Sequence, residues 1–248
     1  MQTLRRQDPD VPVLQICVLD KEKKMTSRKR ILFGCYAMVL AIIGDYLLGF
    51  ETFSMSDSPD AYMGMTANVA PDWRYALSSV LGFICAALFA YAAVELLSVM
   101  EKRYRLNKEK LYKLFKIANW GGILYFAFIH IGICMLPVVF NAGMEATGDM
   151  SVSIGMALRV AKSIAVPLAA GFIICDVFVM IAWVGLILKG KLPLKKIAVI
   201  CNPVIMVLVG QLMNVIKDGL DSGFESLGWL LMYLVCAMKL AGKEDYLA

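Results

Sequence analysis

Charge is scarce in this chain, and histidine scarcer. Asp, Glu, Lys and Arg make up 18% of its 248 residues, and His130 is its single histidine. Soluble domains carry about 25% charged and about 45–50% apolar residues. Here the hydrophobic share is 60% and the mean hydropathy +0.69. A water-soluble fold is thereby excluded, and so is disorder, since a chain this apolar cannot stay solvated. One histidine cannot furnish the several His and carboxylate ligands of an intramembrane metallohydrolase. The cysteines (Cys17, Cys35, Cys85, Cys134, Cys175, Cys201 and Cys236) contain no C-x-x-C pair, so they read as small buried hydrophobes rather than a disulfide framework or zinc site. No phosphate loop or dinucleotide glycine pattern occurs, and Gly121-Gly122 is a packing feature. Neither a metal nor a cofactor is expected. The first 24 residues hold Pro9, Pro12 and only a short apolar run, Val11–Leu19, without the pattern of a secretory signal.

What is present is a series of long apolar runs. A helical span needs roughly 20 mostly apolar residues to cross about 30 Å of hydrocarbon. Six stretches qualify: about Ile31–Phe50, Tyr75–Met100, Ile117–Phe140, Ser163–Leu188, Ile197–Ile216 and Leu227–Ala241. The runs are continuous rather than alternating, which excludes a β-barrel. The expected fold is therefore all-α, a polytopic membrane protein with six transmembrane helices in one bundle. Residues 1–27 are expected to be a flexible cytoplasmic tail, 28–243 the transmembrane domain and 244–248 a second cytoplasmic tail.

Lysine and arginine orient the bundle. One set of flanks holds Arg28 to Arg30, the basic segment from Lys102 to Lys116, Lys189 to Lys196, and Lys239 and Lys243; the other holds only Arg74, Arg159, Lys162 and Lys217. By the positive-inside rule both termini are cytoplasmic. The opposite loops collect Glu51, Asp57, Asp60, Asp72, Glu145, Asp149, Asp218, Asp221 and Glu225. The basic link from Glu101 to Lys116 either merely enforces orientation or also lies on the anionic inner leaflet; membrane lipids are the expected partners. No recognition motif accompanies it, so no nucleic acid is expected.

Packing within a bilayer relies on small residues and polar bonds. Gly82, Ala86 and Ala90 make one four-residue ridge, and Ala157, Ala161, Ala165 and Ala169 make another. Pro137, Pro167 and Pro203 are expected to kink or end their helices. Ile42-Ile43-Gly44-Asp45 and Ile173-Ile174-Cys175-Asp176 are faintly alike. Three crossings separate them, so a duplication would have inverted topology, an architecture transporters use.

The informative residues are the polar ones inside the runs. An aspartate at the centre of a span costs about 2.5–3.5 kcal/mol, so Asp176 must turn towards a partner or water, and an intramembrane ionisable residue is a functional candidate by default. By depth, Asp45, His130, Asp176, Gln211 and Asn214, with Arg74 at the outer rim, are expected to line a polar cavity opening outward. An aspartate and a histidine there can exchange protons. The competing reading is structural: the same residues paired off as fixed links between helices. Glu95, Asn119 and Asn202 lie near the cytoplasmic end. Ser78, Ser79, Ser98 and Ser163 have no base assigned to them by the sequence, so no catalytic residue is expected.

Gly44-Asp45-Tyr46-Leu47-Leu48-Gly49, followed after an acidic loop by Trp73-Arg74, resembles a family of uncharacterised multi-pass bacterial membrane proteins. The resemblance implies a six-helix fold in the bacterial cytoplasmic membrane and carries no activity; an Asp45–Arg74 pair would make its motif a structural clasp. Two functional classes follow. One is small-solute or ion transport, with or without proton coupling, and the other a non-catalytic sensor, assembly factor or partner subunit. Six crossings in 27.4 kDa leave little room for a large pocket, so a homo-oligomer or a partner membrane subunit is expected with either.

Overall fold

The computed structural model describes residues 25–49, 71–216 and 221–241. The leader, the loop bearing Glu51, Asp57 and Asp60, Lys217 and Asp218, and the tail with Lys243 lie outside the described residues. No strand occurs among the described residues. Helix α1 spans Ser27–Gly49, α2 Asp72–Lys102 and α3 Lys110–Thr147. Then α4 (Met150–Phe172) passes through a π-helical turn, Ile173–Val177, into α5 (Phe178–Leu188), making one rod. A 3₁₀ turn at Lys196–Ile200 precedes α6 (Pro203–Asn214), and α7 (Phe224–Val235) continues as a π turn over Cys236–Leu240.

Four of these are long and apolar enough to cross a membrane: α1, α2, α3 and the Met150–Leu188 rod. Large apolar side chains cover their outward faces, Leu124 being 76% exposed and Phe83 66%, a surface that suits lipid rather than water. The last two expected spans are shorter than the apolar runs suggested. Helix α6 has 12 residues, a rise of about 18 Å, because Pro203 takes its first position and the Asn202 side chain caps it by accepting from Ile205 N at 3.0 Å. Pro at that position and Asn at the cap are strong start signals, so the helix begins after Ile197 rather than there. Helix α7 has 12 residues before its five-residue π turn, together about 25 Å if straight. The rod is longer than expected in the other direction. Asp149 caps α4, its Oδ1 accepting from Ser151 N at 2.8 Å and Val152 N at 3.2 Å. Helix formation thus starts 13 residues before Ser163, and α4 pairs with the extended end of α3.

The helices pack in a simple order. α1 lies on α2 and α7, α2 on α3, and α3 against α4 and α5, while α6 leans mainly on α7. Phe89 of α2, Phe126 of α3 and Trp229 of α7 meet edge-to-face, with ring centroids 4.9–5.7 Å apart. Such arrangements favour ring edges against ring faces, as aromatic quadrupoles require. The six described cysteines are free thiols, four of them buried, in keeping with a packing role. Of the two small-residue ridges, Gly82 and Ala86 are buried, whereas Ala165 and Ala169 are exposed. Ser27, near the start of the described chain, and Ala241, at its end, line one small pocket beside Lys102 and Arg103. Both ends therefore sit at the basic end of the bundle. Glu95 is there too, paired with Arg30 at 3.0 Å.

Candidate functional site

Away from the basic end, one face of α7 gathers the polar side chains of the interior. Ser226 Oγ donates to Asp45 Oδ2 of α1 at 2.7 Å, and Trp229 Nε1 donates to Asp176 Oδ1 at 2.8 Å. The two donors are three positions apart (i, i+3), which places them on the same side of the helix. Asp176 is fully buried and sits in the π turn, an irregularity that recurs at functional sites. Its Oδ2 receives no conventional donor, and the Asp176 side chain lies within hydrogen-bonding reach of the Glu225 carboxyl, in the first turn of α7.

His130 of α3 occupies a slot between two glycines. A Cβ on Gly82 would lie 2.5 Å from His130 Cβ, and one on Gly44 would lie 3.0 Å from His130 Cε1. The ring thus packs against bare backbone of α1 and α2. Its hydrogen bonds fix its tautomer. Ser78 Oγ donates its only proton to Gly44 O at 3.0 Å, so at 3.3 Å it accepts from His130 Nδ1–H. The Nε2 lone pair then faces Asp45 Oδ1 at 3.7 Å. That separation is too long for a direct hydrogen bond and short enough for a small movement or one water to close. His130 and Asp45 can therefore share a proton.

The members of a Ser–His–Asp constellation are thus present, and the sequence had assigned no base to Ser78. The arrangement is not that of a nucleophile, however: Ser78 is fully buried, its proton is committed to Gly44, and it lies behind His130 rather than on a cavity wall.

That wall encloses about 280 Å³, among α1, α3, α6, the start of α7 and the turn before it. Of the residues expected to line a cavity, Asp45, His130 and Gln211 do so. Asp176 stands one layer behind, reached through Glu225. Arg74 is elsewhere, donating from Nη2 to Tyr46 O at 3.4 Å, while Asp45 turns to Ser226 and His130 rather than forming the clasp. The side chain of Asn214 lies outside the described residues. Gln211 Nε2 donates to Asp221 Oδ2 at 2.9 Å, which fastens the turn to α6. Glu225, Ser226 and Asp221 were missed as site residues. Their signal was present: a polar cluster immediately before the last apolar run, with Glu225 and Trp229 one helical turn apart. No lysine or arginine lines the cavity among the described residues, nor do they include a group of three or more metal-ligating side chains.

A family model described as a family of unknown function (DUF6796) matches residues 20–243. The chain belongs to this family. Neither a curated protein nor a solved structure matches it. Within this DUF6796 chain the remaining buried polar groups serve as structural links. Asn119 Nδ2 donates to Phe115 O at 2.9 Å and its Oδ1 accepts from Tyr233 OH at 2.7 Å. Trp183 Nε1 donates to Ala198 O at 2.8 Å, holding the 3₁₀ turn to α5. The two similar tetrapeptides run in opposite directions, α1 away from the basic end and the rod towards it, and each presents its aspartate to α7.

Proposed function

We propose that this protein is an integral membrane carrier of a small solute or ion, coupled to protons through His130 and Asp45, in the bacterial cytoplasmic membrane with both termini inside. The observation that carries the reading is a single cavity touching Asp45, His130 and Gln211, three groups drawn from three helices. Its position adds support. Irregular, polar backbone is tolerated at membrane depth only where protein buries it or it lines a watery cavity. The turn at Asp221–Gly223 meets α1 near Asp45, with Gly223 close to Ile42 and Tyr46. On this reading α6 and α7, too short for full crossings, enter from the basic end and turn back beside the cavity. The cavity opens to the outer face. No enzymatic step is assigned.

The competing reading, a non-catalytic membrane component, draws on the Ser226–Asp45 and Gln211–Asp221 bonds, which tie the turn in place. Proton flux separates the two. The purified chain is placed in liposomes enclosing a pH-sensitive dye, and the outside is acidified. Wild type is expected to collapse the gradient faster than empty liposomes, and Asp176→Asn and His130→Ala to slow it by about 10²-fold, the low end for loss of a proton-transfer group. Equal rates for all three proteins and empty liposomes would overturn coupling to protons.

A further inference from the structure

The buried acid pair behind the cavity has a property that neither helix packing nor the His130–Asp45 contact requires. Asp176 has two carboxyl oxygens and one ordinary donor, Trp229 Nε1. The second oxygen, Oδ2, is inaccessible to solvent and without a conventional partner. A buried acceptor left this way costs about 1–3 kcal/mol, and more when charged. The Asp176 side chain lies within hydrogen-bonding reach of the Glu225 carboxyl, another acceptor when ionised. Two carboxylates cannot hydrogen-bond; a carboxylic acid and a carboxylate can, and such bonds to an ionised acceptor are short and strong.

We propose that Glu225 and Asp176 form a carboxylic acid–carboxylate pair holding one proton between them, and that this pair is the proton-loading site of the cavity, with Glu225 as the member that exchanges with the cavity water. The assignment rests on the transport reading for its purpose but not for its chemistry. Glu225 lines the cavity and Asp176 does not, so a proton enters at Glu225 and is retained by Asp176. The transfer is balanced: one proton passes from cavity water to Glu225, and the same proton leaves by that route. The ionisable groups facing the pair are Asp45 from α1, Tyr125 and His130 from α3, Cys175 from the π turn and Asp221 from the turn before α7. None is a lysine or arginine, so no fixed cation among the described groups substitutes for the proton. The π turn contributes directly, since it sets Asp176 between Trp229 and Glu225.

Infrared spectroscopy reads this proton without any gradient. The full chain in liposomes at pH 7 is measured in H2O and D2O for the carbonyl stretch of a protonated carboxyl and its deuterium shift. Wild type and Asp45→Asn are expected to show that band, and Glu225→Gln to lose it. In wild type alone the band should fall as pH is raised, with the amplitude of one carboxyl, so the proposal remains testable if Glu225→Gln fails to fold. Absence of the band in wild type, or its full retention in folded Glu225→Gln, overturns the proposal. A protein that passes no flux yet shows the band contradicts the transport reading and leaves the pair standing. Flux without the band does the reverse.

Discussion

Replacing Trp229 with alanine is expected to prevent stable folding of the bundle. The side chain is fully buried and packs edge-to-face with Phe89 at 5.3 Å and Phe126 at 5.7 Å. Truncating a buried aromatic to alanine costs about 3–5 kcal/mol. The same change removes the indole N–H from Asp176 Oδ1, and a buried acceptor so stripped adds about 1–3 kcal/mol or more. Against a typical total stability of about 5–15 kcal/mol, the two losses together are severe. Trp229→Phe keeps most of the packing and loses only the hydrogen bond, so it should fall in between. Thermal unfolding of purified protein in detergent, followed by far-UV circular dichroism, checks the order: wild type above Trp229→Phe, and Trp229→Ala lowest or unobtainable. Equal melting temperatures for wild type and Trp229→Phe would show that the Asp176 bond carries no weight.

Gly82→Ala is the second large effect, and it falls on function more than on folding. The added methyl would sit 2.5 Å from His130 Cβ and 2.6 Å from Cγ. The backbone fixes Cβ, so a rotamer change cannot clear it and α2 and α3 must separate. Overpacking of this kind costs about 1–3 kcal/mol. It also pulls His130 away from Ser78 and Asp45, whose present spacings of 3.3 Å and 3.7 Å leave little slack for proton sharing. The expected result is a folded protein with a modestly lower melting temperature and proton flux as low as that of His130→Ala. Wild-type flux in Gly82→Ala would place the proton path elsewhere. Ala86→Gly, four residues along the same ridge, is the natural control, since it adds no atom near the ring.

Much of this arrangement was legible in the chain, for identifiable reasons. Apolar runs located α1, α2, α3 and the later part of the rod, because hydropathy averaged over a span reports directly on burial in lipid. The start of α4 was not legible that way. Arg159, Lys162, Ser151 and Ser153 dilute the run before Ser163, yet the Asp149 cap and pairing with α3 make the segment helical. The shortness of α6 and α7 hid behind the same averaging, because Asn202-Pro203 and the turn at Asp221–Gly223 act through local geometry, not composition. Depth along each run brought Asp45, His130 and Gln211 to one cavity. It misplaced Glu225, which reads as an outer-loop acid until the turn before α7 is seen to sit at the level of Asp45. The π turn that aims Asp176 at Trp229 has no signature in residue type. Gly82 read as one step of a packing ridge; only its contact with His130 shows that it shapes the site.

Proton loading at the cavity requires water to reach the turn before α7 from the side opposite the basic end. Cysteine accessibility in intact cells tests this most directly, using a thiol reagent that cannot cross the membrane and scoring labelling above that of the parent chain. Cysteine at Ser222, on the cavity wall, should be labelled in intact cells, and cysteine at Asn107, between the basic ends of α2 and α3, only after permeabilisation. Labelling of Asn107→Cys in intact cells with Ser222→Cys protected would contradict both the orientation and the outward-facing cavity.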